Sequence, residues 1–305
     1  MSPSKGAAPE LGHTSVNFST YKLITDILAV DLMITWALFF IELPVVLLAM
    51  SGLYVMTRSD CLVPVFVINL LVSDLIQIFS RPFINRVQLE TQRLIVFWIY
   101  NMGLIASIGF MVCISFERYV MITFPLQYRS FRSLKFSVCV SVMIWSLSLA
   151  DIVISLVMII RGNLEVVFLM SSVLLFVPYP LVVFCFFGSW RALSRSVSVP
   201  PDEKKRVLRI LALVLFSYTV MFLPVTVCHI LISVSLENFA KVAPLKLVAG
   251  LLIYLNPLAD CLMYVFLRKD IKGILKYFCY KIPNRNRDQT LDEATDGRDA
   301  ENNQT

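Results

Sequence analysis

Seven long apolar stretches, separated by short polar connections, dominate the hydropathy pattern of the chain. Each stretch is at least as long as the roughly 20 residues that an α-helix needs to cross about 30 Å of hydrocarbon. Helices fit this pattern better than a β-barrel, whose strands would alternate in character over about ten residues. The pattern therefore predicts an all-α membrane protein with transmembrane helices near residues 28–56, 62–84, 94–122, 136–160, 166–190, 207–235 and 245–267.

The composition supports a membrane protein of one domain. Of 305 residues, 58% are hydrophobic and only 16% are charged, whereas soluble domains carry about a quarter charged residues. We assign residues 1–27 to an extracellular amino-terminal segment, 28–267 to the bundle and 280–305 to a disordered cytoplasmic tail. The short connections leave no room for a soluble catalytic domain. Neither of the two histidines has a nucleophile or metal set beside it in the sequence, so we do not expect an enzyme.

The distribution of basic residues predicts the orientation. With the amino terminus outside, the cytosolic connections and tail hold roughly twice as many Lys and Arg as the outer ones. Asn17 begins a glycosylation sequon ahead of the first span, which suits an extracellular amino terminus. We therefore expect a multi-pass plasma-membrane protein with a cytoplasmic carboxyl terminus. Membrane topology accounts for the net charge of +6, so membrane lipid is an expected partner and nucleic acid is not.

Polar side chains at hydrocarbon depth are the main functional signal, because a charge there costs at least about 2.5 kcal/mol. Asp74 stands in the middle of the second span. Asn256 and Asp260 lie four residues apart in the seventh, so they share one helical face, and Tyr264 continues it. This group could bind a monovalent cation or share a proton; the alternative is a structural hydrogen-bond cluster without an ion.

The third span carries a charged pair at its predicted cytosolic end, Glu117 and Arg118, followed by Tyr119. Ser107 lies eleven residues earlier, on the same face and about 16 Å away along the axis. Such a helix could connect a polar site in the middle of the membrane with a cytosolic charge pair. Alternatively, Arg118 simply extends to the membrane interface, as arginines at helix ends often do.

Prolines inside the apolar spans predict kinks, since each removes a backbone hydrogen bond. They are Pro82, Pro178, Pro224 and Pro257. Phe222 stands two residues before Pro224, so an aromatic ring lies beside one kink. This ring could rotate with the hinge, although simple core packing is the default interpretation of a single aromatic.

The order and spacing of these motifs resemble the rhodopsin-like (class A) G-protein-coupled receptors from about residue 40 to 280. The motifs are Asn69-Leu70 with Asp74-Leu75 and Pro82-Phe83, Glu117-Arg118-Tyr119 with Pro125-Leu126 and Trp145, Pro178, Phe222-Leu223-Pro224, and Leu255-Asn256 through Asp260 to Tyr264. Within the family, the Phe-Leu-Pro signature and Asp260 resemble the motifs of one branch, which contains the purinergic, lipid, hydroxycarboxylic-acid and proton-sensing receptors.

The resemblance implies a function and a set of roles. The chain is expected to transmit binding of an extracellular ligand to a cytosolic heterotrimeric G protein. Residues 268–279 are expected to form a short amphipathic eighth helix, ending at a palmitoylation site, Cys279. The implied sites are G-protein coupling by Glu117, Arg118, Tyr119 and Tyr264, a sodium pocket of Asp74, Ser107, Asn256 and Asp260 with no other cofactor or metal, and an activation switch of Phe222 and Pro224.

Basic residues near the outer ends of the spans favour a small anionic ligand. They are Arg81, Arg86, Arg93 and Lys246. Charges in such positions are commonly just solvated, which is the alternative. By analogy with the family, Tyr100, Asn101 and Leu104 are expected to face the same ligand pocket.

Several positions depart from the family pattern and keep other functions open. Arg93 stands where the family has a cysteine, so no extracellular disulfide is expected; Val46 replaces an asparagine, Cys261 a proline and Phe186 a tyrosine. One alternative is a partner or decoy receptor of the same fold that does not signal itself. A less favoured one is a transporter or channel in which Asp74 and Asp260 are the transport acids.

Overall fold

The computed structural model describes residues 18–59, 64–84, 90–124, 128, 133–195, 201–234 and 238–267, which are helical almost throughout. Within these residues, seven segments are long and apolar enough to cross a membrane, which confirms the predicted seven-helix class. We number them α1 to α7. Their membrane-length parts are Ala29–Tyr54, Val65–Ile84, Thr91–Thr123, Leu134–Ile160, Leu164–Arg195, Lys204–Val234 and Pro244–Tyr264.

Four of the segments are single helices and three are interrupted. The single helices are α1 (Phe18–Ser59), α2 (Val65–Ile84), α3 (Glu90–Thr123) and α4 (Leu134–Ile160). The interrupted ones are α5, made of Leu164–Phe176 and Pro178–Arg195; α6, made of Pro201–Ser217, a π-helical turn over Tyr218–Phe222, and Leu223–Val234; and α7, made of Asn238–Ile253 and Asn256–Leu267.

The predicted segments at the two ends of the chain are only partly covered by the described residues. Helix α1 begins at Phe18, inside the predicted extracellular segment, although its apolar part begins only at Ala29. The predicted eighth helix (268–279) and the tail (280–305) lie outside the described residues. So do three single-residue predictions, which are Asn17, Arg86 and Cys279.

Three of the four prolines expected to kink the spans stand at the interruptions. Pro178 begins the second helix of α5, Pro224 follows the π-helical turn of α6, and Pro257 follows the turn at residues 254–255 of α7. A proline lacks the N–H and its ring displaces the carbonyl four residues earlier, so the helix is disturbed just ahead of it. Pro82 differs, because it lies two residues before the end of α2, which continues without a break.

Helix α3 is central and packs against α2, α4 and α5. It passes close to α2 at Gly103, where an added Cβ would lie 2.9 Å from the carbonyl oxygen of Ser73. A side chain at this position would push the two backbones apart. Ser107 follows Gly103 by one turn and Asp74 follows Ser73 directly, so this contact brings the polar residues of α2 and α3 into one layer.

The outer surface of the bundle is apolar. On α4, Met143 and Leu147 are 59% and 62% exposed, as expected for side chains covered by lipid tails. Trp145 turns inward instead, and its Nε1 donates to Oδ1 of Asn69 at 3.0 Å, which joins α4 to α2. This distribution of side chains is that of a multi-pass membrane protein.

Candidate functional site

A hydrogen-bonded set of polar side chains from α3 and α7 lies in the centre of the bundle. The Ser107 hydroxyl donates to Oδ2 of Asp260 at 2.9 Å. The Asn256 amide donates to Oγ of Ser107 at 2.9 Å and to the same Asp260 oxygen at 3.1 Å. All three side chains are at most 1% exposed. The four-residue spacing places Asn256 and Asp260 on one face of α7, and that face meets α3.

Helix α2 adds a second acid to this set, which we call the inner polar centre. Asp74 is fully buried, and its carboxyl group is close enough to that of Asp260 for the two to interact electrostatically. Gln77, one turn further along α2, approaches Oδ1 of Asp74 with its amide nitrogen at 3.5 Å. The two acids therefore face each other inside the bundle and do not point into lipid.

The donor chemistry of the inner polar centre fits a small hard cation. Oδ2 of Asp74 and Oδ1 of Asn256 are buried and have no hydrogen-bond partner among the described residues. Leaving such an acceptor without a donor costs about 1–3 kcal/mol. Carboxylate, carbonyl and hydroxyl oxygens are the ligands that hard cations prefer, and one positive charge would reduce the repulsion between two adjacent acids. The oxygens present would suit either sodium or a shared proton.

A second polar group, which we call the outer polar centre, lies about 10 Å from Asp74 along α2. Its core is a buried ion pair: Nη2 of Arg81 lies 2.6 Å from Oε2 of Glu42, and the two side chains are 1% and 0% exposed. Nη1 of Arg81 donates to the Tyr254 carbonyl oxygen at 2.7 Å. The guanidinium carbon also lies 4.9 Å from the centre of the Tyr254 ring. The centre thus joins α1, α2 and α7.

The sequence reasoning missed Glu42 and treated Arg81 as a cation at the outer mouth. In the structure Arg81 is 2% exposed and its charge is compensated by Glu42, so it is not a solvated surface charge. The signal was present in the sequence, because Glu42 is an acid within the apolar part of α1. Charges at hydrocarbon depth usually pair with one another, which would have suggested an opposite charge on a neighbouring helix.

At the other end of α3, Glu117 binds the connection between α3 and α4. The Tyr128 hydroxyl donates to Oε1 of Glu117 at 2.5 Å. Nη1 of Arg118 lies 3.8 Å from the sulfur of Met121, one turn further along the same helix. The Tyr119 ring packs against Gly188 of α5, where an added Cβ would lie only 2.6 Å away. The three residues predicted for G-protein coupling therefore have three different environments.

Tyr264, the fourth residue predicted for coupling, is 5% exposed and lies on α7, one turn beyond Asp260. It belongs to the same buried apolar cluster as Ile114 of α3. The face of α7 that carries the inner polar centre therefore continues towards the end of α3 that carries Arg118.

The predicted switch residues lie at the π-helical turn of α6. Phe222 is fully buried, and its ring centre lies 5.1 Å from that of Tyr218. The Tyr218 hydroxyl donates to the Leu175 carbonyl oxygen at 2.5 Å, three residues before Pro178. A hydrogen bond therefore connects the interrupted part of α5 with the interrupted part of α6. The sequence analysis did not predict this contact.

The remaining residues predicted for the ligand pocket are distributed over the bundle. Tyr100 lies beside the outer polar centre, with its ring centre 6.3 Å from that of Tyr254. Leu104 is part of the apolar core, whereas the Asn101 amide donates to a carbonyl of its own helix. Lys246 is half-buried, with Nζ 4.9 Å above the Phe168 ring of α5. Arg93 is exposed near the start of α3. Of the residues predicted for the ligand pocket, the structure therefore brings only Arg81 and Tyr100 together.

These features define a seven-helix membrane bundle with a buried polar centre and hinged helices, an architecture suited to a receptor. The sequence-family model described as 7 transmembrane receptor (rhodopsin family) matches residues 45–264. The match covers most of the chain, and the chain belongs to the rhodopsin family of G-protein-coupled receptors. This family consists of receptors and not of enzymes, in agreement with the sequence analysis.

Individual curated relatives match over a shorter region. The chain is 33% identical over 94 residues to the human "G-protein coupled receptor 68", which covers 27% of this chain and 25% of that receptor. The mouse receptor of the same name is 33% identical over 91 residues, and the bovine one 31% over 93 residues, with the same coverage. The chain thus spans about a quarter of the length of these relatives.

Proposed function

We propose that the chain is a plasma-membrane receptor, with an extracellular amino terminus, that transmits binding of a small anionic ligand to a heterotrimeric G protein. The observation that carries this proposal is the arrangement of buried polar groups along the bundle. The outer polar centre at Arg81 is followed by the inner polar centre at Asp74 and Asp260. The charged end of α3 at Arg118 comes last.

Movement of α6 is the proposed output. The π-helical turn over Tyr218–Phe222 and Pro224 weaken the regular hydrogen-bond ladder at one point, so α6 can bend there with little disturbance elsewhere. The hydrogen bond from Tyr218 to the Leu175 carbonyl holds α6 against α5. Ligand binding would shift the population between two packings of these helices, and the second packing would expose Arg118 to a G-protein segment.

A sodium ion in the inner polar centre would oppose this movement. It would bind the oxygens of Asp74, Ser107, Asn256 and Asp260 only while α2, α3 and α7 converge as they do here. A ligand that binds one packing stabilises that packing by mass action. Sodium would therefore act as a negative regulator of the extracellular ligand, since each favours a different arrangement of the same helices.

Basic groups on the extracellular side support an anionic ligand. Arg93 is exposed at the start of α3, and Lys246 is half-buried on α7 over the Phe168 ring. A partly buried cation beside an aromatic face has a strong field, which favours anionic groups approaching from solvent. Arg81 adds a third positive group deeper in the bundle, although Glu42 compensates it in this structure.

A cellular screen tests the proposal. Cells expressing the full chain and a G-protein dissociation sensor would be exposed to carboxylates, nucleotides and acidic lipids. We expect at least one anionic class to dissociate a G protein, and Arg118→Ala to abolish the response at equal surface expression. Arg161→Ala is the matched control, because Arg161 is an exposed arginine that ends α4. If no class gives a signal and Arg118→Ala changes no basal activity, the proposal fails.

A second candidate is a partner receptor that binds another receptor and does not signal itself. Two observations favour it: Glu117 is engaged by Tyr128, and Phe186 of α5 offers no hydroxyl near the cytosolic apolar cluster in which it packs. This reading predicts that Arg118→Ala leaves all cellular effects intact, while the surface level of a co-expressed receptor depends on the chain. The same sensor assay, with surface labelling of the second receptor, separates the two.

A further inference from the structure

We propose that Arg81 is the anchor for a compact carboxylate, and that Glu42 is the internal anion that this carboxylate displaces. This inference rests on the anionic ligand of the proposed function and adds the residue that binds it and the residue that competes with it. The observation behind it is that the outer polar centre is incompletely satisfied on three different helices.

Three buried polar atoms of the Arg81–Glu42 pair and of the neighbouring Tyr100 have no hydrogen-bond partner among the described residues. They are Nε of Arg81, Oε1 of Glu42 and the hydroxyl oxygen of Tyr100. The three residues are 2%, 0% and 7% exposed. The Tyr100 hydroxyl lies within electrostatic range of both charged groups. Together they provide one free N–H donor, one free O–H donor and one free carboxylate oxygen in a shared buried region.

The present ion pair uses only part of the hydrogen-bonding capacity of the arginine. A guanidinium offers five N–H donors in a fixed fork, and its strong arrangement with a carboxylate joins two nitrogens to two oxygens. Here Arg81 reaches Glu42 through one nitrogen and one oxygen. A second nitrogen is used by the Tyr254 carbonyl, and Nε remains available. A mobile carboxylate can approach the fork in the two-point geometry, whereas Glu42 does not adopt it.

Glu42 also lies on a helix, α1, that packs at the periphery of the bundle. Only 22% of the most apolar window of α1 is buried inside the bundle, against 56% for α2. Helix α1 packs on α2 and α7 and leaves the contact between α2 and α3 untouched. Glu42 can therefore leave Arg81 while the contact between α2 and α3 is kept, and the unpartnered hydroxyl of Tyr100 is a further hydrogen-bond donor in the same buried region.

Chemical rescue in purified protein tests this inference without any G protein. The full chain in lipid nanodiscs would carry Glu42→Ala, and its thermal unfolding would be followed with propionate, with propionamide and with chloride. We expect Glu42→Ala to lower Tm and propionate to restore it, while propionamide and chloride restore much less. In the double variant Glu42→Ala with Arg81→Met, propionate should be no better than propionamide.

The isosteric variant Glu42→Gln keeps the inference testable if Glu42→Ala does not fold. It preserves volume and removes the charge, so the propionate concentration for half of the Tm shift should be at least about tenfold lower than in the wild-type chain. Asp151→Asn on α4 is the matched control and should respond like the wild type. If propionate and propionamide shift Glu42→Ala and Glu42→Gln equally, the anchor assignment is wrong.

The result also separates this inference from the proposed function. Selective rescue by propionate without any G-protein dissociation in cells would retain the carboxylate anchor and reject the signalling role. Signalling to an anionic ligand that persists in Arg81→Met, together with no selective rescue, would retain the receptor and reject Arg81 as its anchor.

Discussion

The two polar centres of the bundle differ in how their buried charges are compensated. In the outer centre a base and an acid, Arg81 and Glu42, neutralise each other. In the inner centre two acids, Asp74 and Asp260, lie together, and the hydrogen-bond donors beside them among the described residues are neutral. A buried charge without compensation is costly. The outer centre is therefore complete in charge without a ligand, whereas the inner centre depends on a cation or a proton.

This difference predicts opposite responses to removal of a charge. Deleting one side of the outer pair should leave a buried unpaired ion. Deleting one acid of the inner pair should relieve a repulsion and should also abolish a cation site. Four substitutions test this difference.

The largest effect is expected for Arg81→Met, which leaves Glu42 charged and buried. The free energy of unfolding should fall by about 3–5 kcal/mol, the range found when one partner of a buried pair is removed. Adding Glu42→Met should recover most of this loss, since the second substitution removes the unpaired charge. Thermal unfolding in nanodiscs measures both variants. A double variant as unstable as Arg81→Met would show that the two charges do not compensate each other.

Asp74→Asn tests the inner centre through its response to sodium. Wild-type protein should gain stability with sodium in place of a large organic cation, by about 2.7 kcal/mol at one hundred times the dissociation constant. The variant should lose this gain while remaining folded, because its carboxamide keeps the shape of the acid. Asp151→Asn provides the control for loss of one acid elsewhere. Equal sodium stabilisation of Asp74→Asn and the wild type would rule out the cation site.

Gly103→Ala tests the close approach that brings the helices of the inner centre together. The new Cβ would lie 2.9 Å from the Ser73 carbonyl oxygen, so α2 and α3 must separate. Such overpacking typically costs about 1–3 kcal/mol. Gly250→Ala is the matched control, since an added Cβ there meets no atom within 4 Å. Should both variants unfold at the same temperature, close packing at Gly103 would not matter.

The smallest effect is expected for Tyr218→Phe, which removes the hydrogen bond to the Leu175 carbonyl. One buried acceptor loses its donor, at a cost of about 1–3 kcal/mol, towards the low end because the interrupted α5 can adjust. The variant should also raise basal G-protein activation, because α6 is held less firmly. Tyr179→Phe is a suitable control, since its hydroxyl only accepts a 3.4 Å contact from Thr219. Unchanged basal activity in Tyr218→Phe would exclude this bond from the switch.

Much of the fold and of the inner centre was predictable because the signals are local. A span needs only about 20 apolar residues, and the four-residue spacing of Asn256 and Asp260 already places them on one face. Polar residues in hydrocarbon turn towards the bundle, so their convergence with Asp74 and Ser107 follows from their depth. Helix interruptions at Pro178, Pro224 and Pro257 were indicated by the missing N–H of proline.

The outer centre was not predictable in the same way. Pairing of Glu42 with Arg81 depends on the rotation of α1 relative to α2, and periodicity fixes neither that rotation nor the height of one helix against the next. The bond from Tyr218 to the Leu175 carbonyl likewise requires two interrupted helices to meet at their irregular turns. The helices themselves could be predicted from the sequence, whereas the contacts between distant segments could not.

Nucleotide exchange on purified G proteins tests whether the chain is a signalling receptor. The full chain in nanodiscs, in buffer free of sodium, would be combined with each class of Gα together with Gβγ, and GTP uptake would be followed with and without propionate. We expect exchange above that of empty nanodiscs for at least one class, lost in Arg118→Ala and reduced by sodium. Exchange equal to that of empty nanodiscs for every class, or indifferent to Arg118→Ala, would contradict it.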